Sequence, residues 1–467
     1  MRSEDSTNEI DVLTPTFGSR FIREPIPKNT LPSDEMPSRV AYQVIHDELE
    51  IDCHPLQNMA SFVTTWVEPE AEALIVENAP KNIIDLDEYP QANKIADRCV
   101  AIVSDLLHAP ENGIGTTTIG SSEAGMLAGL AMKFRWKEAG HGSGQPNLVR
   151  SRSVHVCWEK FCTFFDVEQR IVPLGDKAFQ VDPDAYEALI DENTIGVLGV
   201  MGTTTTGLYE PIEQIAQVIE RVNRERDLNV GIHVDAASGG FVAPFLDADI
   251  KWDFRIPCVR SINVSGHKYG LALPGIGLCI WRSKCDVPGT LRFPIDYLGG
   301  TNDRIVFNFT RSSAPIVVLY YNFLRLGRKG YTRVMENIRG TAVYLAGQLL
   351  ETGIFTLVND PSVSIPIIVA RLSRPDVHHP DALQQICKSL RQHGWVIPVY
   401  NVPFGAKHNV PVMRICVRES FSRDQADMLI EHFTEALQGF HTLETGEPDK
   451  RPIPESHLQK RTHRIIC

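Results

Sequence analysis

The chain has 467 residues, 43% of them hydrophobic, and a formal net charge of −12 at pH 7, with an isoelectric point near 5.7. That length exceeds one comfortable core and predicts two to three domains. The acidic balance argues against a principal role on nucleic acid or an anionic membrane, because both select a basic face, and it points to a small ligand.

No 18-residue apolar run occurs, and the first 30 residues are too polar and too rich in Pro and Ser for a signal-peptide core. A soluble, cytoplasmic protein is therefore expected. Ten cysteines are scattered without a C-x-x-C pair, which predicts reduced, mostly buried thiols rather than a disulfide framework or a metal site.

Residues 1–56 carry Pro15, Pro25, Pro27, Pro32 and Pro37 among charged residues, the composition of an extended arm of the kind that wraps a partner subunit. From residue 57 to 340, β-branched runs alternate with helix-period segments. Strands are predicted at Leu148–Val156, Thr194–Met201, Val230–Asp235, Ser261–Val264 and Gly277–Trp281, and helices at Glu123–Glu138 and Ile212–Arg226, the second opened by Pro211. That rhythm is the signature of an α/β domain on a largely parallel sheet, with helices on both faces.

After residue 340 the order becomes helix (Thr341–Glu351), strand (Ile365–Leu372), helix (Asp381–His393), strand (Val412–Val417) and helix (Arg423–Leu437). This predicts a smaller α+β domain over 341–467, ending in the basic tail ESHLQKRTHRII. The tail is too short and too weakly amphipathic for a calmodulin-binding helix.

The run NVGIHVDAASGG (Asn229–Gly240) ends a strand on Asp235 and follows it with small residues. In an open α/β sheet, ligands bind at the carboxyl ends of strands. Thirty-three residues on, SINVSGHKYG (Ser261–Gly270) breaks from a strand into a loop that opens on His267 and Lys268. An aspartate and a lysine converging on a flat ligand match the needs of pyridoxal 5′-phosphate, whose aldehyde takes a lysine amine and whose ring nitrogen takes a carboxylate. Its phosphate needs an anion site, and Gly120-Ser121-Ser122 precedes a helix whose free amides and dipole supply one. Each signal alone also fits a plain helix cap, a turn aspartate or a solvated lysine. Their conjunction in chain order favours the cofactor.

Several longer stretches, in the same order, carry a family resemblance. They are DELEIDCHPLQNMASFVTTW (Asp47–Trp66), NIIDLDEYP (Asn82–Pro90), GSSEAGMLAGLAMKFRW (Gly120–Trp136), VCWEKF (Val156–Phe161), HVDAASGGFVAPF (His233–Phe245), SGHKYGL (Ser265–Leu271), DYLGG (Asp296–Gly300) and LRLGRKGYTRV (Leu324–Val334). On these the chain resembles the pyridoxal-phosphate-dependent group II decarboxylases, and among them the glutamate decarboxylases, over nearly its full length.

The resemblance implies a fold-type I enzyme that converts L-glutamate to 4-aminobutanoate and CO2. It implies that Lys268 carries the cofactor, that Asp235 pairs with the ring nitrogen and that Ala237 packs on the ring face. His267, Ser121, Ser122 and Ser265 are then phosphate contacts, and Thr204 of GTTTTG bonds near Asp235 or the ring oxygen. Thr310 of NFTR is implied to reach the phosphate of a neighbouring subunit, which makes a homodimer the minimal active unit. Ser61, the backbone of Phe62 and Asp85 are implied at the distal-carboxylate end, with Asp85 sharing a proton, and Arg414 of VMRICVRES on the α-carboxylate. Bacterial members imply that His463 in the tail closes over the active-site mouth at neutral pH.

Three positions depart from the family pattern. Ser61 and Thr310 exchange threonine and serine but keep the hydroxyl. His155, in SVHVCWEKF, stands where glutamine is common among glutamate decarboxylases, and histidine there is familiar from aromatic and histidine decarboxylases. An imidazole stacks as an amide does and can add a proton donor near the reacting carbons. A decarboxylase of aspartate, histidine or an aromatic amino acid is thus the alternative reading. An inactive cofactor-binding scaffold would have lost Lys268, Asp235 or Arg414, and all three are present.

Overall fold

The structure, a computed structural model, describes residues 25–84, 86–140, 144–175, 178–295, 302–374, 381–405 and 408–445. The chain divides into two compact units, residues 1–58 and 59–467. In the first, α1 (Ser38–Leu49) starts directly after Pro37, whose fixed φ of −56° leads the chain into the helix.

In the second unit, α2 (Pro69–Asn78) and α3 (Pro90–Leu106) each begin on a proline, which needs no amide partner at a helix start. A seven-stranded sheet follows. Its strands are β1 (Ile114–Thr118), β2 (Asn147–Ser151), β3 (Glu168–Val172), β4 (Thr194–Val200), β5 (Ile232–Asp235), β6 (Val259–Ser265) and β7 (Gly277–Trp281). They lie in the order β1-β7-β6-β5-β4-β2-β3. The ladders β2/β3, β2/β4, β4/β5 and β5/β6 are parallel, while β7 runs against both of its neighbours, β1 and β6. Strands β2, β4 and β7 are buried throughout, as expected for a sheet with both faces covered.

The sheet's reversal sets the site. Residues 266–276 join β6 to β7 without room for a crossover helix, so β7 returns antiparallel. Thr118, Gly277 and Ser265 thereby stand in one row across β1, β7 and β6. The carboxyl ends of β1, β4, β5 and β6 share that edge with the start of β7.

Helix α4 (Ser121–Glu138) packs against α5 (Val156–Phe164) through Gly125 and Gly129, one turn apart. A β-carbon on either would press into the ring of Trp158 or Phe161. Helix α6 (Ile212–Arg226) covers the sheet with Ile215, Ile219 and Val222 and ends on Asp227 in the left-handed conformation.

Beyond the sheet, β8 (Phe293–Ile295) and β9 (Asn302–Arg304) form an antiparallel pair. The long α7 (Ala314–Glu351) changes direction at Gly327, whose φ of 55° and ψ of −175° only glycine adopts readily. A four-stranded antiparallel sheet, ordered β10-β11-β13-β12, comprises β10 (Phe355–Leu357), β11 (Ile367–Leu372), β12 (Val399–Phe404) and β13 (His408–Cys416). It packs with α8 (Ala382–Gln392) and α9 (Arg423–Thr445).

The predicted strand Leu148–Val156 overruns. The strand stops at Ser151, whose Oγ accepts the Ser153 amide at 3.1 Å, and His155 already caps α5. The run Ser153–Val156 looked strand-like because Val154 and Val156 alternate with polar residues, but the side-chain bonds of Ser151 and His155 capture the backbone amides first. Asp85, the DYLGG run and the tail with His463 lie outside the described residues.

Gly277 lies so close to the start of α4 that a β-carbon there would sit 2.5 Å from the Gly120 carbonyl carbon and 2.8 Å from the Ser121 nitrogen, both backbone atoms. Gly277→Ala is expected to cost about 1–3 kcal/mol in denaturant unfolding. Gly289→Ala, which meets open space, should stay within about 0.5 kcal/mol of the parent.

Candidate active site

A cavity of about 390 Å³ opens at the shared strand edge, lined on one side by Ser121, Ser122, Ser265 and His267 and on the other by Asp235 and Lys268. His155, Thr204 and Ala237 complete its wall among the predicted residues. The sequence separates these nine positions by up to 147 residues; the sheet brings them to one mouth.

The anion end is built on the start of α4. Gly120 occupies the cap position, no described side chain caps the helix, and Ser121 is the first helical residue. The alternative of Ser121 or Ser122 as a plain N-cap is therefore not what the helix uses. Glu123 turns back instead. One oxygen accepts the Ile119 amide at 2.8 Å, and the other accepts the amides of Phe307 and Asn308 at 3.2 and 3.1 Å. This leaves the helix's leading amides toward the cavity wall and the Ser121 and Ser265 hydroxyls 2.7 Å apart. His267 packs over Gly120, accepts the Ile276 amide on Nδ1 at 3.3 Å, and is held down to about 4 by burial and by Lys268.

At the other end, Asp235 closes β5 at 5% exposure. Its Oδ1 accepts Asn263 Nδ2 at 2.9 Å and the Ala237 amide at 3.1 Å, and its Oδ2 accepts Trp158 Nε1 at 2.9 Å. A carboxylate has about four acceptor sites. Three are filled by the protein, and the remaining one is on Oδ2. Lys268 follows the β6 end; its Nζ donates to Ser238 Oγ at 3.2 Å, and its carbonyl accepts Thr64 Oγ1 at 2.8 Å. Burial lowers the Lys268 pKa, with Asp235 opposing and Arg414 adding to the shift, so more of the amine is neutral than in free lysine.

His155 accepts the Cys157 amide on Nδ1 at 3.2 Å. Burial lowers its pKa, so the ring is neutral at pH 7 with its proton on Nε2. Thr204 lines the cavity and offers its carbonyl to Arg414 Nη1 at 2.6 Å, while Arg414 Nη2 donates to the Ala60 carbonyl at 2.7 Å. The guanidinium lies 4.7 Å from the centre of the Phe62 ring, which also stands 5.2 Å from Lys268 Nζ. Ser61 Oγ accepts the Val63 amide at 3.1 Å, which keeps its hydroxyl proton free to donate. Thr310 is exposed and does not line this cavity.

The donor set fits pyridoxal 5′-phosphate. An uncapped helix start with paired hydroxyls, a buried carboxylate with one open acceptor site, and a lysine of lowered pKa surround a single cavity. Trp158, Asn263, Ser238 and Thr64 were not singled out from the sequence. Asn263 was legible in principle: Ser261, Asn263 and Ser265 alternate with Ile262 and Val264, which puts three polar side chains on one strand face.

The pyridoxal-dependent decarboxylase conserved domain matches residues 32–373, and the chain belongs to that family. Within it, the chain is 44% identical to glutamate decarboxylase 5 of Arabidopsis thaliana over 92% of this chain and 87% of that protein. It is 38% identical to the glutamate decarboxylase of Lactococcus lactis over 97% and 99%. Among solved structures, the glutamate decarboxylase of Lactobacillus brevis superposes with a TM-score of 0.88 at 39% identity, covering 94% of this chain and all of that one. Among the described residues, no helix is long and apolar enough to cross a membrane.

Behind the cavity, Glu210 is 5% exposed, accepts the Val200 amide at 2.8 Å and bonds Ser151. Burial raises its pKa from 4.5 to about 7. Because the folded pKa lies above the unfolded one, the folded state holds this proton more tightly, and stability falls as pH rises from about 4.5 to 7. The full cost at and above pH 7 is roughly 3 kcal/mol. Glu210→Gln keeps an oxygen for the Val200 amide and carries no charge. Its melting temperature should exceed the parent's at pH 7.5, with the gap closing by pH 5; equal melting curves at both pH values would remove the buried charge from the account.

Proposed function

We propose that the protein removes the α-carboxylate of L-glutamate as CO2 and yields 4-aminobutanoate, with pyridoxal 5′-phosphate in the 390 Å³ cavity. The observation that carries this reading is Arg414. Its guanidinium is braced by two carbonyls and faces two aromatic rings, Phe62 and Tyr400. Among the described residues, no carboxylate pairs with it. A cation so placed beside the lysine suits the α-carboxylate of an amino acid. The identities of 38–44% to glutamate decarboxylases support the choice of substrate.

The cofactor, when bound, supplies the electron sink for the carbon that loses CO2. The chain's own residues do the rest. Lys268 would hold the cofactor through its aldehyde, and its lowered pKa would suit it to return a proton to the α-carbon. Asp235 keeps a proton at the ring nitrogen through the open site on Oδ2. Ser121, Ser122, Ser265 and His267 would hold the phosphate with the amides of α4, and Ala237, His155 and Thr204 of the same cavity would contact the ring.

At the substrate end, Arg414 would hold the α-carboxylate and so fix the orientation of the bond that breaks. Ser61, the Phe62 backbone and Asp85 receive the distal carboxylate, Asp85 with a shared proton. Residues 57–340 thus hold the cofactor, and residues 341–467 bring Arg414 to it. Thr310, exposed on this protomer, serves the phosphate of a second subunit in a homodimer. Nine free cysteines among the described residues support a cytoplasmic site of action.

Lys268→Ala protein mixed with pyridoxal 5′-phosphate should lack the visible band of the lysine-bound cofactor and lose turnover by on the order of a thousandfold or more. A retained band would refute the assignment. On the parent enzyme, CO2 release from L-glutamate, L-aspartate, L-histidine and aromatic amino acids should rank L-glutamate first in kcat/KM; an aromatic preference would instead hand substrate choice to His155. Arg414→Lys should lower kcat/KM for L-glutamate by about 10- to 1000-fold, because an ammonium cannot make the two-point contact.

A further inference from the structure

Behind Asp235 lies a chain of three hydrogen bonds that links four side chains. His233 and Asp235 on β5 stand opposite Ser261 and Asn263 on β6, in the registers His233↔Ser261 and Asp235↔Asn263. All four side chains are buried. Asn263 Nδ2 donates to Asp235 Oδ1 at 2.9 Å, Asn263 Oδ1 meets His233 Nε2 at 2.7 Å, and His233 Nδ1 meets Ser261 Oγ at 2.7 Å. Trp158 packs beside this chain, with its ring 5.0 Å from that of His233.

The donors and acceptors admit one arrangement. A carboxylate only accepts, so the amide nitrogen of Asn263 must face Asp235 and its oxygen must face His233. His233 therefore carries its proton on Nε2, and its Nδ1 takes the hydroxyl proton of Ser261. Burial agrees, holding His233 down to about 4 and hence neutral. With its proton fixed, the His233 ring stops the Asn263 amide from turning over. A turned amide would set oxygen against carboxylate. Oδ1 of Asp235 is thus filled from behind by Asn263 and from its own loop by Ala237, and only Oδ2 is left with an open site.

We propose that Asn263 and His233 are positioning residues for the ring nitrogen of the cofactor. They act through Asp235 by fixing which of its oxygens is open. The inference rests on the pyridoxal-phosphate reading of the cavity and adds two residues that never touch the ligand. It has a specific signature: only a ligand with a protonatable ring nitrogen should sense them.

The test titrates apoprotein with pyridoxal 5′-phosphate and with its 1-deaza analogue, in which carbon replaces the ring nitrogen, following absorbance and quenching of tryptophan fluorescence. Asn263→Leu and His233→Phe should weaken pyridoxal 5′-phosphate about tenfold, the scale of one lost hydrogen bond to a charged group. The deaza analogue should shift by less than about twofold. His233→Gln, which keeps an N–H donor, should restore most of the loss. Ser261→Ala, three hydrogen bonds back from Asp235, should give a smaller loss of the same selective kind and remains informative if the larger changes impair folding.

Equal weakening of both ligands, or no weakening of either, would overturn the positioning role. Failure of the parent protein to bind pyridoxal 5′-phosphate at all would instead refute the cofactor reading, so the two failures are distinguishable.

Discussion

A buried carboxyl group that accepts through both oxygens must be met by donors, and much of this fold is the consequence of meeting Asp235. An unpaired buried carboxylate costs several kcal/mol. Three N–H groups from three places answer it: Trp158 on α5, Asn263 on β6 and the amide of Ala237. Each imposes a condition. Asn263 requires β5 and β6 to be neighbours in one register. Trp158 requires α5 to press onto the sheet, and α5 can do so because Gly125 and Gly129 of α4 leave its rings room. His155 caps α5 and so arrives at the cavity as a result of the same packing. The ring that lines the cavity is delivered by the helix that steadies the aspartate.

The second constraint is the reversal between β6 and β7. It makes one strand, β6, serve both ends of the site. Asn263 and Ser265 point to the same face, two residues and about 7 Å apart, the first toward Asp235 and the second toward Ser121. Lys268 then leaves the strand in the connecting loop, its carbonyl pinned by Thr64. The return strand opens on Gly277, and the absence of a side chain there lets the start of α4 lie against it. The partners of Ser121 and Asp235 and the Lys268 amine are therefore tied to one strand and the loop that follows it rather than to separate loops.

These dependencies explain what could be read from the residues alone. Helix α6 and strand β7 were legible to the residue, because Pro211 marks one and an unbroken apolar run marks the other. Lys268 and Asp235 were legible because strand ends in an α/β sheet face the ligand whatever the rest of the chain does. Trp158 was not, since its importance lies in a partner 77 positions away and no local pattern distinguishes it from core, while the polar alternation of β6 marks the face that Asn263 shares but not its partner 28 positions away. Arg414 was visible only through resemblance. The two carbonyls that aim it come from residues 60 and 204, on segments that only the folded chain brings to β13.

Arg414 also resolves a conflict between composition and substrate. A protein of net charge −12 repels a dicarboxylic amino acid at long range, so attraction must be supplied locally and be shielded from cancellation. Bracing an arginine with carboxylates would fix its geometry but neutralise its charge. Bracing it with the carbonyls of Thr204 and Ala60, and flanking it with Phe62 and Tyr400, fixes the fork and leaves the positive charge for the incoming anion. The same charge helps to lower the pKa of Lys268, so the guanidinium that offers an uncancelled charge at the cavity also favours the neutral form of the lysine amine.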